Sequence, residues 1–160
     1  MSLPASHPHQ RYSISGYQEQ EQPPGDDVAW SCDLLRHGQS FGLVSNAGGT
    51  TADDYAFTDS ARGAEFRTAA RALHPTRTRP EDVLVDELIT IRQLNALDQV
   101  AYCVDGDRFE ELGEHRLADP GLSVEQVRSD LATRYAGRNP RIWDRTRSAM
   151  VPVADRSTFS

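Results

Sequence analysis

The alternation of apolar and polar residues predicts a β-hairpin in the first third of the chain. Every second residue from Trp30 to Leu34 is apolar, and the alternation resumes at Phe41 after the dipeptide His37-Gly38. A two-residue loop that contains glycine suits a tight hairpin turn, because both turn positions need a positive φ angle. In the predicted register the facing pairs are Leu34 with Phe41, Cys32 with Leu43 and Asp33 with Gly42.

Three later segments repeat apolar residues every three or four positions, which is typical of amphipathic helices. The first segment ends at Leu73, just before His74-Pro75, and the third ends at Gly137. Each segment begins at a residue that can accept a hydrogen bond from a free backbone N–H of the first turn. The predicted caps are Thr58 or Asp59, Thr78 with Glu81 in a capping box, and Ser123 with Gln126 in another.

Three further strands follow from turn chemistry and from short apolar runs. Asp105-Gly106 lies between Ala101–Val104 and residues 107–110, which predicts a second hairpin with Tyr102 facing Phe109. A last strand is predicted at Arg141–Asp144. Because strands and helices occur in separate groups, we expect an α+β fold in which a mostly antiparallel sheet packs with three helices.

The length and the polar ends of the chain set the expected domain organisation. A chain of 160 residues fits one domain, which we expect to span residues 12–147. Residues 1–11 are predicted to form a disordered arm, and residues 148–160 a frayed tail. The predicted core consists of Trp30, Cys32, Leu34, Phe41, Leu43, Phe66, Leu73, Leu84, Leu88, Ile91, Val127 and Leu131.

The composition narrows the function classes. The net charge of -7 disfavours bulk binding to DNA or to an anionic membrane, and all 17 basic residues are arginine. Without lysine, neither a Schiff base nor a P-loop lysine can form. No signal peptide or membrane-spanning run is present, so we expect a cytoplasmic protein without a cofactor. Cys32 and Cys103 lie in apolar strands and are expected to be buried free thiols.

The most informative stretch for binding is the glycine-rich loop Ser45–Tyr55. It combines two glycines, small hydroxyl residues and two adjacent carboxylates between apolar segments, as binding loops often do. The acidic positions of the second helix could extend the same surface. The candidate binding residues are Asn46, Gly48, Gly49, Asp53, Asp54, Tyr55, Asp82, Asp86 and Glu87.

Two alternatives remain open. Asp53 and Asp54, with Asp82 or Asp86 and the hydroxyls of Thr50 and Thr51, could serve a divalent-metal-dependent hydrolase that acts on phosphoesters, although the spacing matches no EF-hand and the loop alone supplies too few ligands. The arginine- and aromatic-rich segment near the C-terminus could bind an anion or a nucleic acid. Its candidate residues are Arg138, Arg141, Trp143 and Arg145.

The hypothesis that the sequence favours is a small non-enzymatic protein-interaction or regulatory domain. Twelve acids against three arginines between Glu81 and Glu125 give that part of the chain an acidic surface that could attract a basic protein partner. No nucleophile with a base, no metal-ligand spacing and no phosphate-binding fingerprint is complete. The sequence indicates neither the partner nor the oligomeric state, and we expect contact with nucleic acid to be unlikely.

Overall fold

The computed structural model describes residues 7–20, 28–49, 52–107 and 115–153. Within these residues the chain forms four helices and two antiparallel sheets of four strands, which confirms the α+β class. The helices are α1 (Pro8–Arg11), α2 (Ser60–Leu73), α3 (Pro80–Ala96) and α4 (Val124–Arg134). The strands are β1 (Tyr12–Gln20), β2 (Ala29–Arg36), β3 (Gln39–Asn46), β4 (Asp54–Phe57), β5 (Ala101–Cys103), β6 (Arg116–Leu117), β7 (Arg141–Asp144) and β8 (Ala149–Pro152).

The described chain divides into two compact units, residues 7–89 and residues 90–153. The first unit contains the sheet β1-β2-β3-β4 with α1, α2 and most of α3. The second contains the sheet β6-β5-β7-β8 with α4. The extent of the single domain expected from the sequence stays a prediction.

A β-bulge sets the register of the first sheet. The turn at His37-Gly38 forms as predicted, with φ angles of 48° and 82°. Leu35 then pairs with Ser40 but Leu34 pairs with Gly42, so Phe41 is an additional residue in β3. The pairings of Leu34 with Phe41 and Cys32 with Leu43 are therefore wrong by one position, because a bulge shifts every residue beyond it.

The bulge also fixes where the next elements lie. The carbonyl oxygen of Phe41 accepts hydrogen bonds from the backbone N–H groups of Thr58 and Asp59, at 2.9 and 3.3 Å. Asp59 then caps α2, since its side chain accepts from the N–H of Arg62. At Gly42, a Cβ atom would lie 3.0 Å from backbone atoms of β4, so a larger residue would push this edge strand away.

Both ends of the predicted domain are more ordered than expected. The predicted disordered arm of residues 1–11 contains the helical turn α1, in which the His7 side chain accepts a hydrogen bond from the N–H of His9. The predicted frayed tail contains β8, because Met150 and Val151 pair with Trp143 and Ile142 of β7. The sequence pattern missed both elements since each depends on tertiary partners.

The second unit follows the prediction at its helix and its last strand. Ser123 and Gln126 form the capping box of α4, and Gly137 beyond the helix has a φ of 83°. Strand β7 has the predicted bounds. Tyr102 pairs with Arg116 on one side and with Ile142 on the other, while Phe109, its predicted partner, lies outside the described residues.

Most of the predicted core is buried, with one clear exception. Leu43 is 49% exposed, and its neighbour Val44 is fully buried in its place. Trp30 and Leu73 are half-buried. Both cysteines are free and buried, as expected. In the part of the chain that the structure describes, no helix is long and apolar enough to cross a membrane.

The bulge predicts unequal effects for two adjacent substitutions in β3. Val44→Ala should lower the free energy of unfolding by about 2 kcal/mol, because it removes fully buried apolar surface. Leu43→Ala should change it by only about 0.5 kcal/mol, since half of that side chain contacts solvent. Urea unfolding of both variants measures the difference, and equal losses would contradict the bulged register.

The capping box predicts a loss of about 1 kcal/mol for Ser123→Ala, because the N–H of Gln126 would lose its acceptor. Ser129→Ala is the matched control, since Ser129 lies exposed in the middle of the same helix and caps nothing. Thermal unfolding of the two variants should show a lower Tm for the first alone. An equally low Tm for both variants would show that the loss of stability does not come from the loss of the N-terminal cap.

Candidate functional site

The glycine-rich loop is closed by one buried side chain, Asn46, at the end of β3. Its Oδ1 accepts a hydrogen bond from the N–H of Gly48 at 2.7 Å, and its Nδ2 donates to Oδ1 of Asp53 at 2.9 Å. Gly48 and Gly49 have φ angles of 112° and 70°, which favour glycine. One amide therefore holds both the glycine turn and the returning segment of the loop.

A carboxylate of α3 ties this loop to the helix. Asp82 accepts a hydrogen bond from the hydroxyl of Tyr55 at 2.7 Å and another from the N–H of Asp53 at 3.2 Å. Burial, followed by the hydrogen bond to Asp82, raises the pKa of Tyr55, so this hydroxyl stays a donor. Asp82, a candidate binding residue from the sequence, thus also positions the loop.

The carboxyl group of Asp53 is the most perturbed acid of the loop. Burial, together with the nearby charges of Asp82 and Asp86, raises its pKa to about 6, although the hydrogen bond from Asn46 opposes the rise. Its Oδ2 atom is buried and has no hydrogen-bond partner among the described residues. Burial and the charge of Asp82 also raise the pKa of Asp86. The three carboxyl groups thus interact at one place.

These three aspartates line an open cavity of about 690 Å³, which we call the acidic cleft. A cavity of this size falls within the range of small-ligand and peptide-side-chain pockets. Its lining includes Trp30 from β2 and two arginines from the segment that precedes α3. The complete lining is Val28, Trp30, Asn46, Gly49, Asp53, Arg77, Thr78, Arg79, Asp82, Val83 and Asp86.

The structure places five of the nine predicted binding residues in the lining of the acidic cleft and the other four outside it. The five residues in the lining are Asn46, Gly49, Asp53, Asp82 and Asp86. Gly48 and Tyr55 lie outside the lining but donate hydrogen bonds to two of its residues, Asn46 and Asp82. Asp54 is exposed and lies outside the lining, while Thr50 and Thr51 lie outside the described residues. Residues Val28, Trp30 and Arg77–Arg79 were missed, since nothing local in the sequence connects them to the loop.

Glu87 does not belong to the acidic surface predicted for it. It is only 4% exposed, and its carboxylate lies between two imidazoles, 2.5 Å from Nε2 of His74 and 3.4 Å from Nε2 of His9. Burial alone raises the pKa of Glu87, but the nearby imidazole of His9 and the hydrogen bond with His74 outweigh it and lower the pKa below its ordinary value. Glu87 is thus a structural anchor for α1 rather than a contact for a partner.

The arginine-rich segment does not present its side chains as the nucleic-acid hypothesis requires. Trp143 is only 5% exposed and donates its indole N–H to Oδ1 of Asn95, so it cannot stack on a base in this conformation. Arg145 donates to the carbonyl of Leu97. Arg141 lies 3.4 Å from the carboxylate of Asp105. Arg138 donates from Nη2 to the carbonyl oxygen of Asp105 at 2.9 Å and lies beside Tyr135. All four candidate residues therefore already make internal contacts.

Across residues 7–20, 28–49, 52–107 and 115–153, no group of three or more His, Cys, Asp or Glu side chains is arranged to hold a metal ion. Asp53 and Asp54, the pair on which the hydrolase hypothesis rests, do not converge, because only Asp53 lines the cleft. The metal-dependent hydrolase consequently gains no support from the geometry.

Comparisons with protein-family models, with curated proteins and with solved structures found no significant match to this chain. The acidic cleft itself is therefore the basis for assigning a function to this chain.

The raised pKa of Asp53 predicts a pH-dependent effect of Asp53→Asn. The folded chain holds the Asp53 proton up to about pH 6, whereas the unfolded chain releases it near pH 4. The ionised carboxylate therefore lowers the stability of the parent chain progressively between these two pH values, and the full loss is present above pH 6. At pH 7.5 the variant should gain about 1 kcal/mol, a figure discounted because solvent screens a half-buried carboxylate. At pH 4 this gain should vanish. Urea unfolding at both pH values measures it.

Asp54→Asn is the matched control for this measurement, since Asp54 is the adjacent residue and is exposed outside the cleft. Its stability difference from the parent chain should stay small at both pH values. A destabilising effect of Asp53→Asn at pH 7.5 would show that its charge is needed to hold the loop closed.

Proposed function

We propose that this chain is a non-enzymatic protein-interaction domain that binds a basic segment of a partner protein in the acidic cleft. The observation that carries the proposal is the convergence of Asp53, Asp82 and Asp86, from two separate elements, on one open cavity. A lysine or arginine side chain matches this lining, because it brings the positive charge that the carboxylates attract. As part of the same proposal, we take the domain to be cytoplasmic.

The chemistry of the cleft supports a cationic ligand rather than an anionic one. Asp53 Oδ2 is buried without a hydrogen-bond donor among the described residues, and an incoming guanidinium or ammonium N–H would supply one. A bound cation would also lower the pKa of Asp53 from about 6, so that the carboxylate form dominates in the complex. Trp30 adds an aromatic wall on which the aliphatic stem or the planar head of a basic side chain can pack.

The cleft also supports a role in binding rather than catalysis. Asp82 is committed to Tyr55 and to the backbone of the loop, so it holds the cleft in shape. Asp53 has a pKa near that of a general acid or base, but no metal-holding group of side chains accompanies it among the described residues. A single tuned carboxyl group beside an aromatic wall suits recognition of a charged side chain.

The test is the binding of fluorescent ten-residue peptides that alternate arginine or lysine with glycine and serine. A peptide with glutamate in place of the basic residues is the reference. The parent chain should bind the basic peptide saturably at low salt, with an affinity that falls as salt rises. Asp86→Asn should weaken this binding by about 1 kcal/mol, roughly fivefold in Kd, mainly through slower association.

Asp54→Asn provides the control, because it removes the same charge from an exposed residue outside the cleft. Its Kd for the basic peptide should change less than that of Asp86→Asn. Equal effects of the two substitutions would point to general charge attraction and would contradict the cleft. Absence of saturable binding to any basic peptide at low salt would remove the proposal altogether.

A further inference from the structure

Tyr135, at the C-terminal end of α4, is surrounded by three arginines. The guanidinium carbons of Arg116, Arg134 and Arg138 lie 5.6, 5.6 and 5.7 Å from the centroid of its ring. They come from β6, from the last turn of α4 and from the segment after it. All belong to the second compact unit, and the cluster is independent of the acidic cleft.

One of these cations donates to the phenol oxygen, and the others lie over the ring. Arg116 donates its Nη1–H to the hydroxyl of Tyr135 at 3.3 Å. Hydrogen bonding with Tyr102, followed by that with Arg134, lowers the pKa of Tyr135 below its ordinary value. The potential at this oxygen therefore favours negative charge.

The arginines are held in place from their outer sides. Asp107 accepts from Nε and Nη2 of Arg116, both at 2.9 Å, in a bidentate pair. Asp130 pairs with Arg134, and the carbonyl oxygen of Asp105 accepts from Nη2 of Arg138. These partners fix the guanidinium groups beside the phenol, which reduces the ordering that an incoming anion must impose.

We propose that Tyr135, Arg116, Arg134 and Arg138 form a binding site for the phosphate group of a phosphomonoester. Guanidinium groups donate planar N–H forks that match phosphate oxygens, and the oxygens of a tetrahedral dianion can be shared among three of them. A carboxylate has two oxygens and one negative charge, so it satisfies fewer of these donors. The phenol hydroxyl contributes one more hydrogen bond at the centre of the group.

The experiment is a titration of the full chain, by two-dimensional NMR and by calorimetry, with inorganic phosphate and with glycerol phosphate. Sodium chloride and sodium acetate at the same ionic strength are the reference titrations. We expect saturable shifts near Tyr135 with both phosphate compounds and much smaller shifts with the references. The comparison of free phosphate with the ester shows which source of the phosphate group binds more tightly.

Variants distinguish this site from general attraction of anions. Arg138→Gln should weaken phosphate binding about tenfold, the change expected when one charge-assisted hydrogen bond is lost. Tyr135→Phe should weaken it while keeping the ring under the arginines. Arg67→Gln is the matched control, because Arg67 also lies over aromatic rings, those of Tyr55 and Phe57, but in the other unit.

Several results would overturn the proposal: no saturable binding of either phosphate compound beyond the chloride reference, acetate binding as tightly as phosphate, or equal loss of affinity in Arg67→Gln and Arg138→Gln. If Arg138→Gln does not fold, Arg138→Lys keeps the charge but loses the planar fork. That variant should bind phosphate more weakly than the parent chain, and unchanged affinity would contradict the site.

Discussion

The additional residue Phe41 in β3 determines how the first unit can build a binding site. In a strand, successive side chains point to opposite faces, so one inserted residue exchanges the two faces for everything that follows. Beyond the bulge, Val44 and Asn46 are buried and Leu43 is exposed. Had the register continued without interruption, the Asn46 side chain would lie on the opposite face of the sheet from the one on which it meets Asp53. The shape of the loop thus follows from an irregularity five residues before it.

The position of Asn46 in turn fixes the acids of the cleft through a short chain of hydrogen bonds. Asn46 positions Asp53, the N–H of Asp53 donates to Asp82, and Asp82 also accepts from Tyr55 in β4. Each of these groups is at least half-buried, so loss of one partner would leave another polar group without a hydrogen bond. This arrangement explains why the acids of the loop and of α3 can lie close together despite their mutual repulsion.

Local features of the fold could be read from the sequence, and features that need distant partners could not. The His37-Gly38 turn, the Asp59 cap and the Ser123 capping box depend on residues within four positions of each other, and all three form as predicted. The bulge at Phe41 depends on β4 and on the start of α2, whose N–H groups bond to the Phe41 carbonyl. Within the site, the loop was predictable from its glycines and acids. The contribution of Trp30 was not, because it comes from a strand that the sequence pattern assigned only to the core.

Charge in the sequence proved a poor guide to charge on the surface. The acidic segment Glu81–Glu125 does not form one negative face, since Glu87 is buried between two histidines. Farther along, Asp105 and Asp107 hold Arg141 and Arg116 in place. Buried or paired carboxylates contribute little to long-range attraction, because their partners cancel the field. The charges that we propose to select a ligand are consequently few: the aspartates that line the acidic cleft, and Arg138 beside Tyr135, whose guanidinium donates to the neutral carbonyl of Asp105.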